Sequence, residues 1–326
     1  MKPLKGKVAV VAGATRGAGR GIACTIGEAG ATVYCTGRST RENRKAQGKK
    51  KVDPFDYSSR PETIEETAEM VMGRGGFGIA VQVDHTDEEQ VKELFARVQK
   101  EQKRLDILAH CIADGVASIP FGRPFWECSL EEGLDMIERA SRMHLITSRY
   151  AVPLMIDAKR GLIVRLTDAL NFSYRGHLFF DLVVMGVIRF AFSMSEELRK
   201  HKITSVSMTP GFLRSEAILE YFGVTEENWQ EGAKKMPSFI ASETPFYIGR
   251  AVLALATDKN VIKKTGQFLS SYTLAQEYGF TDVDGRQPNF ARYFFDDQTD
   301  EFLKKYREGI LCSHEEFVNS AKVLKG

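Results

Sequence analysis

The stretch Val8–Ala23, VAVVAGATRGAGRGIA, sets Gly13, Gly17 and Gly19 between a short apolar run and the opening of a periodic segment. A glycine turn lets the backbone approach a phosphate closely, and the N–H groups and positive dipole end of a helix that follows attract its charge. The chemistry this points to is holding the pyrophosphate of a dinucleotide. Thr15, Arg16 and Ala18 belong to the same turn. A second cation, Arg38, comes after the next apolar run with Ser39 and Thr40 beside it, and no carboxylate lies between Ala31 and Arg41. A ribose with a free 2′-hydroxyl is usually met there by an acid, whereas arginine forks onto phosphate oxygens. Arg16 and Arg38 therefore predict NADP(H) over NAD(H).

Such a turn needs a strand to deliver it and a helix to receive it. Strand-like runs fall near Val8–Val11, Thr32–Cys35, Ile79–Val83, Ile107–Cys111, Leu162–Leu166, Ser205–Thr209 and Gln267–Ser270. Helical periodicity lies between them, including Glu88–Glu101, Leu134–Met155, Leu178–Lys200 and Pro245–Ala256. This β-α-β alternation predicts an α/β fold, a single doubly wound parallel sheet with helices on both faces and its site at the carboxyl ends of the strands. Residues 1–280 are expected to form the dinucleotide-binding and catalytic domain. Residues 281–326 read as an extension packing on the same domain or on a sister subunit. Arg41–Arg60 and Ala113–Leu130 look like additions to the basic plan.

With 45 basic against 43 acidic residues the net charge is +2, which gives no electrostatic reason to expect nucleic acid or an anionic membrane as partner. The basic run Arg41–Lys51 is the exception, and reads as a solvated loop. Five scattered cysteines suggest neither disulfides nor a zinc site, and no His/Asp pair has compact ligand spacing. The amino-terminal segment has no signal-peptide pattern, and no apolar run is read as long enough to span a membrane. These features make cytoplasmic residence the expectation.

At this point the chain resembles the short-chain dehydrogenase/reductase family over roughly Leu4–Leu269. The resemblance rests on AGATRGAG after the first strand, VDHTD closing the third, LDIL in the fourth and TPGFLRSE after the sixth. It implies that Asp84, with His85 beside it, meets the adenine ring. It also implies a small-molecule substrate and a homo-oligomer, a dimer or tetramer built through the two long helices.

The family's acid pair is a tyrosine and a lysine four residues apart on one helix face. On that pattern the tyrosine position is Phe180 and the lysine position Val184, and none of the ten tyrosines is followed four residues later by lysine. The family serine falls on Asp168 (or Thr167), and its relay asparagine on His144. The usual Asn-Asn-Ala-Gly after the fourth strand reads His110-Cys111-Ile112-Ala113. Several polar residues crowd the predicted rim, among them Asp114, Arg175, His177 and Asp181. Asp168 is the first choice for a replacement acid, its pKa raised by burial beside Phe180 and Val184, with His144 or Tyr174 second. The loop after Pro210-Gly211 carries Phe212, Ile218, Leu219, Phe222 and Trp229. With Phe121, Phe125 and Trp126 these predict either a lid over an apolar pocket or a second small core. Three functions stay open: an NADP(H)-dependent oxidoreductase with a non-classical acid acting on a small apolar carbonyl or alcohol, a non-redox isomerase, cyclase or lyase, and a silent cofactor-binding sensor.

Overall fold

The computed structural model describes residues 2–43, 60–112, 122–169 and 174–294. Most of the basic run, Asp114, Phe121 and the predicted tail helix lie outside the described residues.

Seven strands form one all-parallel sheet in the order β3-β2-β1-β4-β5-β6-β7. They are β1 (Val8–Ala12), β2 (Thr32–Gly37), β3 (Phe77–Gln82), β4 (Ile107–His110), β5 (Gly161–Leu166), β6 (Ile203–Thr209) and β7 (Phe268–Ser270). All seven lie where the apolar runs predict them. The central strands are apolar on both faces because helices cover both. The order reverses between β1 and β4, which opens a crevice above their carboxyl ends.

The helices are α1 (Gly17–Glu28), α2 (Ile64–Gly73), α3 (Glu88–Gln102), α4 (Leu130–Asp157), α5 (Leu178–Leu198), α6 (Glu216–Phe222), α7 (Pro245–Thr257), α8 (Ser271–Tyr278) and α9 (Phe290–Phe294). One core layer joins Ile22 and Ile26 of α1 to Val252 and Leu255 of α7. The other joins Val91, Leu94 and Val98 of α3 to Leu154 and Met155 of α4. Helices α1 and α7 touch backbone to backbone, and a Cβ on Gly21 would stand 1.9 Å from the Pro245 carbonyl oxygen.

One expectation is corrected by α5. By length and composition Leu178–His201 is apolar enough to cross a membrane. In this structure it packs against β6 and α4 along one face, with about a third of that stretch buried. Leu182 and Phe192 stand exposed on the helix.

The chain beyond β7 folds back on the loop after β6. Asp282 accepts hydrogen bonds from the Thr244 N–H (2.8 Å) and Oγ1 (2.5 Å) at the start of α7. Arg214 is buried; its Nη1 donates to the Ser242 carbonyl (2.9 Å), and it forms ion pairs with Glu226 and Asp284. The guanidinium groups of Arg214 and Arg286 lie 4.2 and 4.5 Å from the centre of the Trp229 ring.

Candidate active site and cofactor turn

The β1–α1 turn is built by its glycines. Gly13 has φ +84°, and a Cβ there would lie 2.6 Å from the Cys111 carbonyl oxygen at the end of β4. Gly19 sits over the Gly13 carbonyl, where a Cβ would have 2.0 Å. The turn is therefore pressed against β4, and the first N–H groups of α1 face the crevice. The Gly17 N–H donates to the Glu216 carboxylate at 2.8 Å, so the turn already holds an anion. Thr15 is buried, with its hydroxyl close against Gly37.

The two cations differ. Arg16 Nε bonds Glu62 Oε2 at 2.9 Å, and Arg60 grips the same carboxylate. Arg38 is half-exposed just past β2 and lies 3.9 Å from Asp84. The Ser39 carbonyl accepts from Ile64 N–H (3.1 Å), and Thr40 N–H donates to Asn43 Oδ1 (2.8 Å), which fixes the loop. Asp84 Oδ1 accepts from the Thr86 N–H at 2.9 Å. His85 points inward: its ring bridges Thr36 Oγ1 (2.8 Å) and Thr147 Oγ1 (2.9 Å), and burial pushes its imidazole down to about 4.

The predicted acids fall into two groups. Asp168 lies two residues past the end of β5 with its side chain 64 % exposed, 3.2 Å from Arg175 Nη2. The burial expected beside Phe180 and Val184 is not found, because those side chains turn into an apolar cluster with Met136 and Phe179 while Asp168 turns to solvent. The Val184 carbonyl accepts from Thr167 Oγ1 at 2.8 Å. Tyr174 stands on the same rim; burial and the Asp181 charge raise its phenol. Asp181 accepts from the Arg175 N–H at 2.9 Å, and burial raises its carboxyl.

His144 belongs to a different place. It sits on the buried face of α4, 5.0 Å ring to ring from His110 and 6.0 Å from Phe190. Burial first, then the Arg165 charge, pushes it down to about 3, so it carries no cationic proton at neutral pH. Arg165 is wholly buried, donating to Ser148 Oγ (2.7 Å) and Ser205 Oγ (3.1 Å). Burial pushes its guanidinium down to about 9, so it keeps its charge. Sequence reasoning passed over Arg165, although an arginine inside GLIVRLTD is the signal, facing the Ser148 and His110 side of the sheet.

A buried acid was also missed. Glu243 is buried, its Oε2 accepting from Gly211 N–H (2.9 Å) and Ser271 Oγ (2.6 Å), and burial pushes it up to about 8. Its backbone pairs with Leu213, anchoring the loop after β6. Phe222, Trp229 and Phe239 pack with Phe212 as a small core of their own, while Phe125 and Trp126 stand exposed. The second-core alternative holds for that loop.

A family model described as enoyl-(acyl carrier protein) reductase matches residues 55–270. Dehydrogenase/reductase SDR family member 1 of Mus musculus is 35% identical over 288 residues, 87% of this chain and 85% of the relative. This chain is a short-chain dehydrogenase/reductase. The human protein of the same name is 33% identical over the same shares. Among solved structures, a short chain dehydrogenase from Mycobacterium paratuberculosis bound to NAD aligns with TM-score 0.62 and 18% identity, covering 82% of this chain and 97% of that one. A short-chain type dehydrogenase/reductase from Mycobacterium marinum aligns with TM-score 0.62 and 21% identity, covering 82% and 94%. The Rossmann-like sheet of this family member thus positions a glycine turn at the carboxyl end of β1.

Proposed function

We propose that this short-chain dehydrogenase/reductase binds NADP(H) and reduces or oxidises a small apolar carbonyl or alcohol with a non-classical acid. The observation that carries the reading is the anion hold at Gly17, built on glycines that a Cβ would fill. The cofactor supplies hydride transfer when bound. Gly13, Thr15, Arg16, Gly17, Ala18 and Gly19 would cradle the pyrophosphate side. Arg38, Ser39 and Thr40 would meet the 2′-phosphate, and Asp84 with the His85 backbone the adenine. Arg38→Ala is expected to weaken NADPH binding about tenfold or more, from a charge-assisted contact worth ~1.5–3 kcal/mol, and to leave NADH binding unchanged. Fluorescence titration with both nucleotides decides it, and equal losses would reject NADP(H) preference.

The proton is assigned to Tyr174. Its phenol keeps its hydrogen at neutral pH, whereas Asp168 is exposed and paired with Arg175. Tyr174→Phe is expected to lower NADPH-dependent turnover of apolar aldehydes and ketones by about 10²–10⁴-fold with cofactor affinity retained, and Asp168→Asn by less. Unchanged turnover in Tyr174→Phe returns the role to Asp168 or to solvent. The apolar burial of Phe180 and Val184 favours a second reading, a cofactor-binding protein without redox turnover. NADPH binding with no consumption across such a panel would select it.

The exposed Leu134 and Leu145 on α4, with Leu182 and Phe192 on α5, support a homo-oligomer through those helices. Sedimentation of the purified chain tests that. We retain cytoplasmic residence as part of the proposal.

A further inference from the structure

The anion at the α1 turn comes from the chain itself. Glu216 Oε2 accepts from the Gly17 N–H at 2.8 Å, and Oε1 lies 3.3 Å from Arg20 Nη1. Both oxygens of one carboxylate thus engage groups at the start of the helix. The helix that carries this acid does not need it as a cap, because Ser215 is the N-cap of α6 and accepts from the Ile218 N–H. One turn further along α6, Glu220 pairs with Arg60; Arg60 in turn grips Glu62, which holds Arg16 of the glycine turn. Residues four apart share a helix face, so both acids of α6 point at cations around the turn. The fit is close, since a Cβ on Gly17 would have Ser215 Cβ at 3.5 Å and Leu213 Cδ2 at 3.7 Å.

Resting on the cofactor reading above, we propose that Glu216 is an intramolecular occupant of the pyrophosphate site, with Glu220 as its second tether, and that α6 must release the turn before a dinucleotide enters. The N–H that a phosphate oxygen would take is already given to a carboxylate, and two anions cannot share one donor without repulsion. Entry is then an exchange in which the pyrophosphate takes the Gly17 N–H and the neighbourhood of Arg20 while the Glu216 carboxylate returns to solvent. Seating of α6 on the turn and binding of cofactor become alternatives, which links the loop after β6 to cofactor occupancy.

The test uses the full chain purified free of nucleotide. Glu216→Gln is expected to bind NADPH at least about threefold tighter than the parent, because a partly exposed charged contact has been removed from the competing state. Hydrogen exchange of residues 213–223 should rise in the parent when inorganic pyrophosphate is added. In Glu216→Gln it should be high already and respond little. Glu216→Asp keeps the charge but shortens the reach, and is expected to act in the same direction. Unchanged or weaker NADPH binding in both variants, with lid exchange in the parent unmoved by pyrophosphate, overturns the proposal. A parent that binds no nicotinamide nucleotide, yet whose lid is released by pyrophosphate, removes the cofactor reading and leaves the latch supported.

Discussion

Acidification from pH 7 to pH 4 is expected to unfold this protein, and the cause is a set of buried histidines. Burial pushes His85 down to about 4 and His144 down to about 3, and His110 well below its ordinary value. In the unfolded chain each titrates near pH ~6.5. Between the folded and unfolded values the unfolded state binds more protons, so stability is full above pH ~6.5 and lost as the pH falls. At ~1.4 kcal/mol per unit, His85 alone removes about 3 kcal/mol by pH 4 from a total that is typically ~5–15 kcal/mol. Glu243 opposes this. Its carboxyl is pushed up to about 8. Its contribution is therefore full below pH ~4.5 and declines as the pH rises towards 8. Three wholly buried histidines against the wholly buried Glu243 leave the steep loss on the acid side and an optimum near pH ~6.5. Urea midpoints at pH 8, 6.5, 5 and 4 measure this. A flat profile between 6.5 and 4.5 would show that the histidines are not buried as described. His144→Asn should shallow the acid limb even if it lowers stability overall.

Gly21→Ala is expected to be among the most damaging single substitutions outside the site. The added methyl would stand 1.9 Å from the Pro245 carbonyl oxygen and 2.2 Å from its carbon, and backbone cannot rotate aside. Helices α1 and α7 must separate, which opens the core layer holding Ile22, Ile26, Val252 and Leu255. A loss of at least about 3 kcal/mol follows from overpacking a close contact of this kind. Gly73→Ala is the matched control. It lies at the end of α2 with nothing within 4 Å of the new methyl, and it should be neutral or gain ~0.5–1 kcal/mol. Thermal denaturation of the two variants side by side separates packing from helix propensity. Equal midpoints would contradict the α1–α7 contact.

The fold was legible because short apolar runs alternate with helical periods, and parallel strands buried on both faces leave that mark. The glycine turn was legible for the same local reason, since Gly13 and Gly19 each answer a steric demand. What sequence could not supply was direction. Asp168 was expected to be buried because Phe180 and Val184 are apolar, yet the loop turns its carboxylate outward to Arg175. His144 was expected at the cleft rim, yet it turns to His110 beneath α4. His85 sits beside Asp84 in sequence but faces the opposite way. Glu62 and Glu216 lie 46 and 199 residues from their partners in the turn, and no local pattern announces such pairs.

The clamp of Arg214 and Arg286 around Trp229, held by Asp282 and Asp284, has a thermodynamic consequence. A substrate loop that is disordered until ligand arrives loses roughly 1–2 kcal/mol of backbone entropy for each residue it orders, and that loss comes off the affinity. Here the loop after β6 is stapled by residues far along the chain, beyond β7. Its ordering is a cost of folding the domain, incurred once. A ligand bound against that loop would meet a segment that is already shaped, and so need not bring the binding area that ordering a floppy segment demands.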